Sequence, residues 1–210
     1  MSYSNLVSYV KLSPNCNKPR NHAIDKITIH CVVGQASVEN LGELFAKPER
    51  QASSNYGIGR DGRIACYVEE ENRAWTSGSR ENDNRAITIE VASDTTHPYA
   101  VNPEAYAALL NLVEDICRRH NIVPNYTGDT SGNMTLHKWF QETDCPGDYL
   151  ISKHPEIAEE VKRRLQGGKK DVFYRIQCGA FNQYDNAVAM RDKLRKQGYP
   201  DAFIVEVKRE

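Results

Sequence analysis

The chain has no Cys-x-x-Cys pair, no run of about 18 apolar residues and almost no net charge. Each absence removes a class of protein. The six cysteines (Cys16, Cys31, Cys66, Cys117, Cys145 and Cys178) are scattered singly, which argues for thiols kept reduced in a cytoplasm and against a disulfide framework. Without a long apolar run, no membrane insertion is expected. The start, Met1-Ser2-Tyr3-Ser4-Asn5, lacks the basic-then-apolar order of an export signal. A formal net charge of −1 supplies no field for nucleic acid or an anionic lipid surface, so neither is an expected partner.

What is present is an ordinary core, with 40% hydrophobic residues among 210. Residues 1–25 are polar and broken by Pro14 and Pro19, and read as irregular wrapping. Residues 26–33 alternate and are rich in β-branched side chains, which predicts a buried strand. Ser37 can cap a helix running to about residue 47, where Pro48 stops it. Residues 54–68 read as a β-hairpin, 72–79 as a loop, and 85–92 as a central strand. Asn102-Pro103 opens a helix reaching about His120, which is expected at the surface near the helix C-terminus. Residues 123–134 read as a loop and 148–165 as a helix, with His154 expected at the surface before Pro155. The organisation is a domain over 1–166, a linker over 167–171 and a βαβ unit over 172–208. In that tail the expected elements are a strand over 172–181, a helix over 185–197 and a strand over 202–207. Residues 169–210 carry nine Lys/Arg against six Asp/Glu.

The chemistry concentrates in the stretch from His137 to Cys145-Pro146-Gly147. An imidazole and a thiolate eight positions apart suit two ends of a loop closing on one point, and both are ligand types that Zn²⁺ prefers. The best candidate for a third ligand is His30, in the strand 26–33. A His₂Cys set leaves one tetrahedral position open, as catalytic zinc sites do. Glu90 is a carboxylate inside an apolar run, where burial is costly unless it is paired or functional.

As an ordered set, His30, Tyr56 in its hairpin, Ala74-Trp75, Ile87-Thr88-Ile89-Glu90 and His137…Cys145-Pro146-Gly147 resemble the zinc-dependent N-acetylmuramoyl-L-alanine amidases. This is the bacteriophage-lysozyme-type family related to peptidoglycan recognition proteins. The resemblance implies an α/β fold with a mixed central β-sheet flanked by helices. It also implies zinc held by His30, His137 and Cys145, and hydrolysis of the bond between N-acetylmuramic acid and L-alanine in peptidoglycan. Glu90 would then be the general base and Tyr56 an oxyanion donor. Trp75 and Thr76 would be groove contacts. Thr143 stands where many members carry a basic catalytic residue, and Thr76 where many carry His. The tail, Tyr174-Arg175-Ile176-Gln177 through Phe181 and then Gly198-Tyr199, resembles one repeat of the sporulation-related (SPOR) peptidoglycan-binding domains. Two chains pairing their tails as a homodimer would complete such a domain. Made in the cytoplasm without a signal, the enzyme would reach the wall after holin-mediated or lytic release, as a phage endolysin or a bacterial autolysin. The rival reading is a non-catalytic peptidoglycan-binding protein of the same fold.

Overall fold

Two eight-residue strands, β3 (Lys26–Val33) and β7 (Ala86–Ser93), run parallel with all eight residues in register. Their alternation of apolar and polar side chains gives the sheet two different faces. The computed structural model describes residues 3–167, 179–199 and 202–206, in two units, Met1–Gly168 and Lys169–Glu210.

In the larger unit, β1 (Val7–Val10), β4 (Tyr56–Ile58), β5 (Ile64–Cys66) and β8 (Met134–Leu136) join the central pair in the order β1-β5-β4-β7-β3-β8. The β4–β5 hairpin is antiparallel and the other pairings are parallel, so the sheet is mixed. A second, two-stranded sheet joins β2 (Cys16–Asn17) to β6 (Arg73–Ala74). Residues 1–25 are therefore not merely irregular: they supply an edge strand and half of the small sheet. Both were unreadable because such short strands gain their stability from the partner they meet, not from their own pattern.

The helices follow their capping signals. In α1 (Val38–Phe45), Ser37 Oγ accepts from the Asn40 amide at 3.2 Å. In α3 (Pro103–His120), Asn102 Oδ1 accepts from the Ala105 amide at 2.8 Å, and Asn121 at φ 55° closes the C-terminus in the left-handed region. The short α2 (Arg80–Arg85), capped by Ser79, lies inside what reads from sequence as the approach to β7.

One face of the sheet presents Ile27, Ile29, Tyr56, Ile58, Ile87, Ile89 and Val91, which pack with Leu109, Leu112 and Ile116 of α3 and with Leu150, Ile157 and Val161 of α4 (Gly147–Gly167). The opposite face presents Thr28, His30, Thr88, Glu90 and Thr135. Its polar groups are knitted together: Thr28 Oγ1 to Thr135 Oγ1 at 2.8 Å, Asn82 Nδ2 to Thr28 Oγ1 at 2.9 Å, and Ser54 Oγ to the Thr88 carbonyl at 2.9 Å. Part of this face is covered by α1, through a cluster of Val38, Leu41, Phe45, Ala65 and Tyr67. Gly57 is required there, because a Cβ would stand 2.5 Å from the Tyr67 ring.

Among the described residues of the smaller unit there is one helix, α5 (Tyr184–Lys196), with Phe181, Tyr184, Tyr199, Phe203 and Val205 exposed. The strand expected over 172–181 falls mostly outside the described residues. Of the strand expected over 202–207, the described residues 202–206 carry no regular structure. No described helix is long and apolar enough to cross a membrane.

Candidate metal centre and active-site cleft

His30 sits on the polar face of β3, fully buried. His137 begins a single 3-10 turn, His137–Trp139, directly after β8, and β8 is itself registered on β3. This pairing carries His137 to His30, with ring centroids 4.8 Å apart. The chain then doubles back. The Lys138 amide donates to the Cys145 carbonyl at 3.2 Å, and the Gly147 amide to the Asp144 carbonyl at 2.7 Å, placing Cys145 just before the start of α4. Gly147, at φ 81°, fits closely against Tyr99 and Pro98. As a result, one ligand-type atom from each of His30, His137 and Cys145 lies within 4.8 Å of the others.

This donor set fits a tetrahedral zinc ion. Zn–N bonds of about 2.05 Å and a Zn–S bond of about 2.3 Å at a tetrahedral angle put nitrogen and sulfur about 3.5 Å apart. His30 Nδ1 and Cys145 Sγ are 3.5 Å apart. Burial, reinforced by the imidazoles of His137 and His154, pushes His30 well below the usual histidine range, so it is held neutral, as a ligand must be. His137 Nε2 lies 3.3 Å from Gln141 Oε1. As the donor to that oxygen, it leaves Nδ1 free to ligate and gains the outer partner that metal-bound histidines usually have. The neighbouring Cys31 thiol, with burial adding to it, holds the Cys145 thiol well above the usual thiol range. A divalent cation is the group that would reverse this.

Glu90 is the register partner of His30 across the β3–β7 pair. Burial, with the Cys31 thiol adding to it, pushes its carboxyl up to about 8, and Arg50 pulls it partly back. Glu90 and His137 line one cleft of roughly 850 Å³, together with Trp75, Thr76, Arg50 and Gln141. Its walls are fixed from below. Thr76 Oγ1 donates to the Ser53 carbonyl at 2.7 Å, and Trp75 Nε1 donates to Asn17 Oδ1 at 2.7 Å. Buried Asp83 accepts the amides of Thr76 and Ser77.

Of the residues singled out from sequence, the fold brings His137, Glu90, Trp75 and Thr76 to this cleft, and clusters His30 and Cys145 with His137 beside it. It does not bring Tyr56. Tyr56 shares its row with Ile89, not Glu90, so its side chain lies on the helix-covered face. There its hydroxyl donates to Glu70 and accepts the Ser4 amide. Thr143 stands two residues before Cys145 and, like Cys145, is not in the cleft lining. Its hydroxyl accepts the Cys145 amide at 3.2 Å. Two surface expectations also fail. His154 is fully buried, and His120 is half-buried with Nε2 2.9 Å from Glu70. The residues missed were Cys31, Gln141, Asp83 and Arg50. Only Gln141 had a readable signal, its place four residues after His137 on a tight turn.

The N-acetylmuramoyl-L-alanine amidase family model matches residues 20–148, which contain all three clustered ligand-type residues and Glu90. A SPOR domain model matches residues 170–210. Solved structures of similar fold include the catalytic domain of XlyA, 17% identical, with a TM-score of 0.57 over 73% of this chain and 97% of that one. An AmpD derivative is 20% identical, with a TM-score of 0.58 over 74% and 96%. The amidase LysC of Clostridium intestinale is 20% identical, with a TM-score of 0.54 over 76% and 95%. Comparison with curated protein sequences returned no match. The SPOR match and the amidase match both imply peptidoglycan as the partner. With more than half of its length matched by that one model, the chain belongs to the N-acetylmuramoyl-L-alanine amidase family and is a peptidoglycan hydrolase.

Proposed function

We propose that His30, His137 and Cys145 hold Zn²⁺ beside the cleft, and that Glu90 moves the proton during cleavage of the amide between N-acetylmuramic acid and L-alanine. The observation that carries this reading is the convergence of three ligand-type atoms, one of them from His137, which lines the same cleft as the half-buried carboxylate of Glu90. When bound, the ion supplies Lewis acidity to water and to the scissile carbonyl. Glu90, with a proton affinity raised to about 8, is suited to take a proton from the attacking water and return it to the leaving amine near neutral pH. Gln141 orients His137, and Thr143 fixes the Cys145 turn rather than acting on substrate. Trp75 and Thr76 line the groove where the stem peptide lies.

We extend the proposal to the whole chain. The catalytic domain covers 1–166, the linker 167–171, and the wall-binding half repeat 172–208. Pairing of two tails in a homodimer would cover the exposed aromatic side chains of Tyr184 and Tyr199. Analytical ultracentrifugation of the full chain beside a 1–168 truncation tests this: the full chain should sediment as a dimer and the truncation as a monomer, and a monomeric full chain at micromolar concentration contradicts it. The enzyme would act on the wall as an endolysin or autolysin after holin-mediated or lytic release.

The activity is tested on purified walls. Digests should yield stem peptides with a free L-alanine amino terminus, release should stop on chelation, and zinc should restore it. Cleavage that continues unchanged in metal-depleted protein overturns the zinc assignment. Binding to walls without any cleavage in the zinc-loaded protein favours the non-catalytic alternative.

A further inference from the structure

The cleft carries more positive charge than its own carboxylates answer. Arg50, Arg73 and Arg80 line it, with no lysine, against two carboxylates, Asp83 and Glu90. Asp83 is already engaged: it accepts the Thr76 and Ser77 amides at 3.1 Å and the Ser77 hydroxyl at 2.6 Å. Glu90 is the proton carrier of the reading above. Among the described residues none of the three guanidinium groups forms an ion pair, and Arg73 donates only to the neutral amide oxygen of Asn17. Elsewhere on the same unit Arg63, Arg85 and Arg119 each hold a carboxylate. A cleft with an excess of one sign attracts a ligand of the other.

Two of the three bracket the Trp75–Ser77 wall. Arg73 lies in β6, just before Trp75, which is pinned to Ser53: its amide donates to Ser53 Oγ at 3.0 Å and its carbonyl accepts the Ser53 amide at 2.9 Å. Arg80 opens α2, the helix whose Asp83 holds Thr76 and Ser77. Burial holds the Arg73 guanidinium below its ordinary value; Asp83 opposes this and Arg80 adds to it, as a second cation facing the same space does. The wall also reaches the metal centre. A Cβ on Gly78 would stand 2.6 Å from Gln141 Oε1, and that oxygen lies 3.3 Å from His137 Nε2. Arg80 is two residues beyond Gly78, at most about 7.6 Å along the chain. An extended peptide advances about 3.3–3.6 Å per residue, so the third residue of a stem cut at the metal lies on the order of 10 Å away, within reach of Arg80.

Stem peptides differ chemically at that third residue. It is a diamino acid whose side chain ends in an amine alone, as in lysine, or carries a carboxylate as well, as in diaminopimelate. We infer that Arg73 and Arg80 are specificity-determining residues that take this side-chain carboxylate, so that the enzyme cleaves carboxylate-bearing stems in preference to lysine-type stems. A guanidinium matches a carboxylate with two parallel hydrogen bonds, and two unpaired cations repel a bare ammonium. Arg50 is the cation that bears on Glu90, and is not part of this pair. The inference rests on the amidase reading above.

The test uses the zinc-loaded full chain and synthetic N-acetylmuramoyl tripeptides with D-isoglutamine second and an amidated C-terminus, so that the third side chain is the one source of a carboxylate. Three are compared: diaminopimelate, diaminopimelate with that carboxylate amidated, and lysine. The free carboxylate should raise kcat/KM about 10–100-fold over either of the others, mostly through KM. Arg73→Gln and Arg80→Gln should each shrink this preference and the double variant should abolish it, with melting temperatures near the wild type. Equal cleavage of the free and amidated diaminopimelate peptides overturns the inference and leaves the amidase standing. So does a preference that survives in the folded double variant. A lysine peptide with a free C-terminus that matches the diaminopimelate peptide assigns the arginines to the terminal carboxylate of the stem and likewise overturns it. The substrate comparison needs no substitution, so it holds even where a variant fails to fold. Calorimetric binding of the same peptides to Glu90→Gln should show the same order, and covers the case of slow turnover. If the wild type cleaves neither these peptides nor purified walls, the amidase reading falls and this inference with it.

Discussion

The two faces of the central sheet are built from the same strands and do opposite work. On β3 and β7 the residues Ile27, Ile29, Ile87, Ile89 and Val91 enter a dry core, while their immediate neighbours Thr28, His30, Thr88 and Glu90 face the cleft side. The carboxylates on the two sides, Glu70 buried and Glu90 half-buried, differ as sharply. On the helix-covered side, burial would raise Glu70, but hydrogen bonds from His120, Arg119 and Tyr56 outweigh it and hold it at about 2. On the cleft side, burial meets little compensation at Glu90, which rises to about 8. One carboxylate is locked ionised as structure, and the other is kept near the pH at which protons are exchanged. Side-chain parity, more than residue type, separates scaffold from chemistry in this molecule.

Substitutions on each face should therefore fail differently. The largest effect belongs to the ligands. His30→Ala or Cys145→Ser should lose zinc and reduce wall hydrolysis by about 10³-fold or more, since a Lewis acid contributes several kcal/mol to such a reaction; elemental analysis and a turbidity assay check it. Next, Glu90→Gln should lower kcat by about 10²–10⁴-fold while keeping its zinc and its melting temperature. A variant that loses metal or stability instead would move Glu90 to the structural side of the comparison.

On the opposite face, Glu70→Gln should cost on the order of 3 kcal/mol, because it breaks a buried, bidentate pair with Arg119. The pH dependence has a definite sign. The folded carboxyl is depressed from 4.5 to about 2, so its stabilisation is complete above about 4.5 and is lost as pH falls toward 2. Urea titrations of both proteins from pH 6 to pH 2 should converge at the acid end. The smallest effect is expected from Tyr56→Phe. It removes a buried hydroxyl from Glu70 and Ser4 at a cost of about 1–3 kcal/mol, yet kcat on folded protein should stay within about threefold of the wild type, far short of the 10²–10³-fold loss typical of an oxyanion donor. A fall of that size would restore Tyr56 to the chemistry.

Much of this was legible in the sequence. The β-branched alternation of 26–33 and the apolar run of 85–92 gave the two central strands, and the Asn102-Pro103 cap gave the start of the 18-residue helix α3. His30, His137 and Cys145 were readable as one site because their residue types share a preference for the same ion. What was not legible depended on tertiary partners. Tyr56 reads as a cleft hydroxyl until its register against Ile89, rather than Glu90, turns it to the other face. His154 reads as a surface residue before a proline, but α4 continues through Pro155 and buries it. Strands β1, β2 and β8 are two to four residues long and exist through their neighbours, so no local pattern could announce them.

The most direct measurement is zinc stoichiometry by native mass spectrometry, taken alongside amide cleavage on the same preparations of wild type and Cys145→Ser. The expected result is one zinc per wild-type chain with cleavage that follows zinc content, and neither zinc nor cleavage in the variant. A wild-type chain that cleaves the wall without zinc, or a Cys145→Ser chain that keeps both, would contradict the assignment of the cleft.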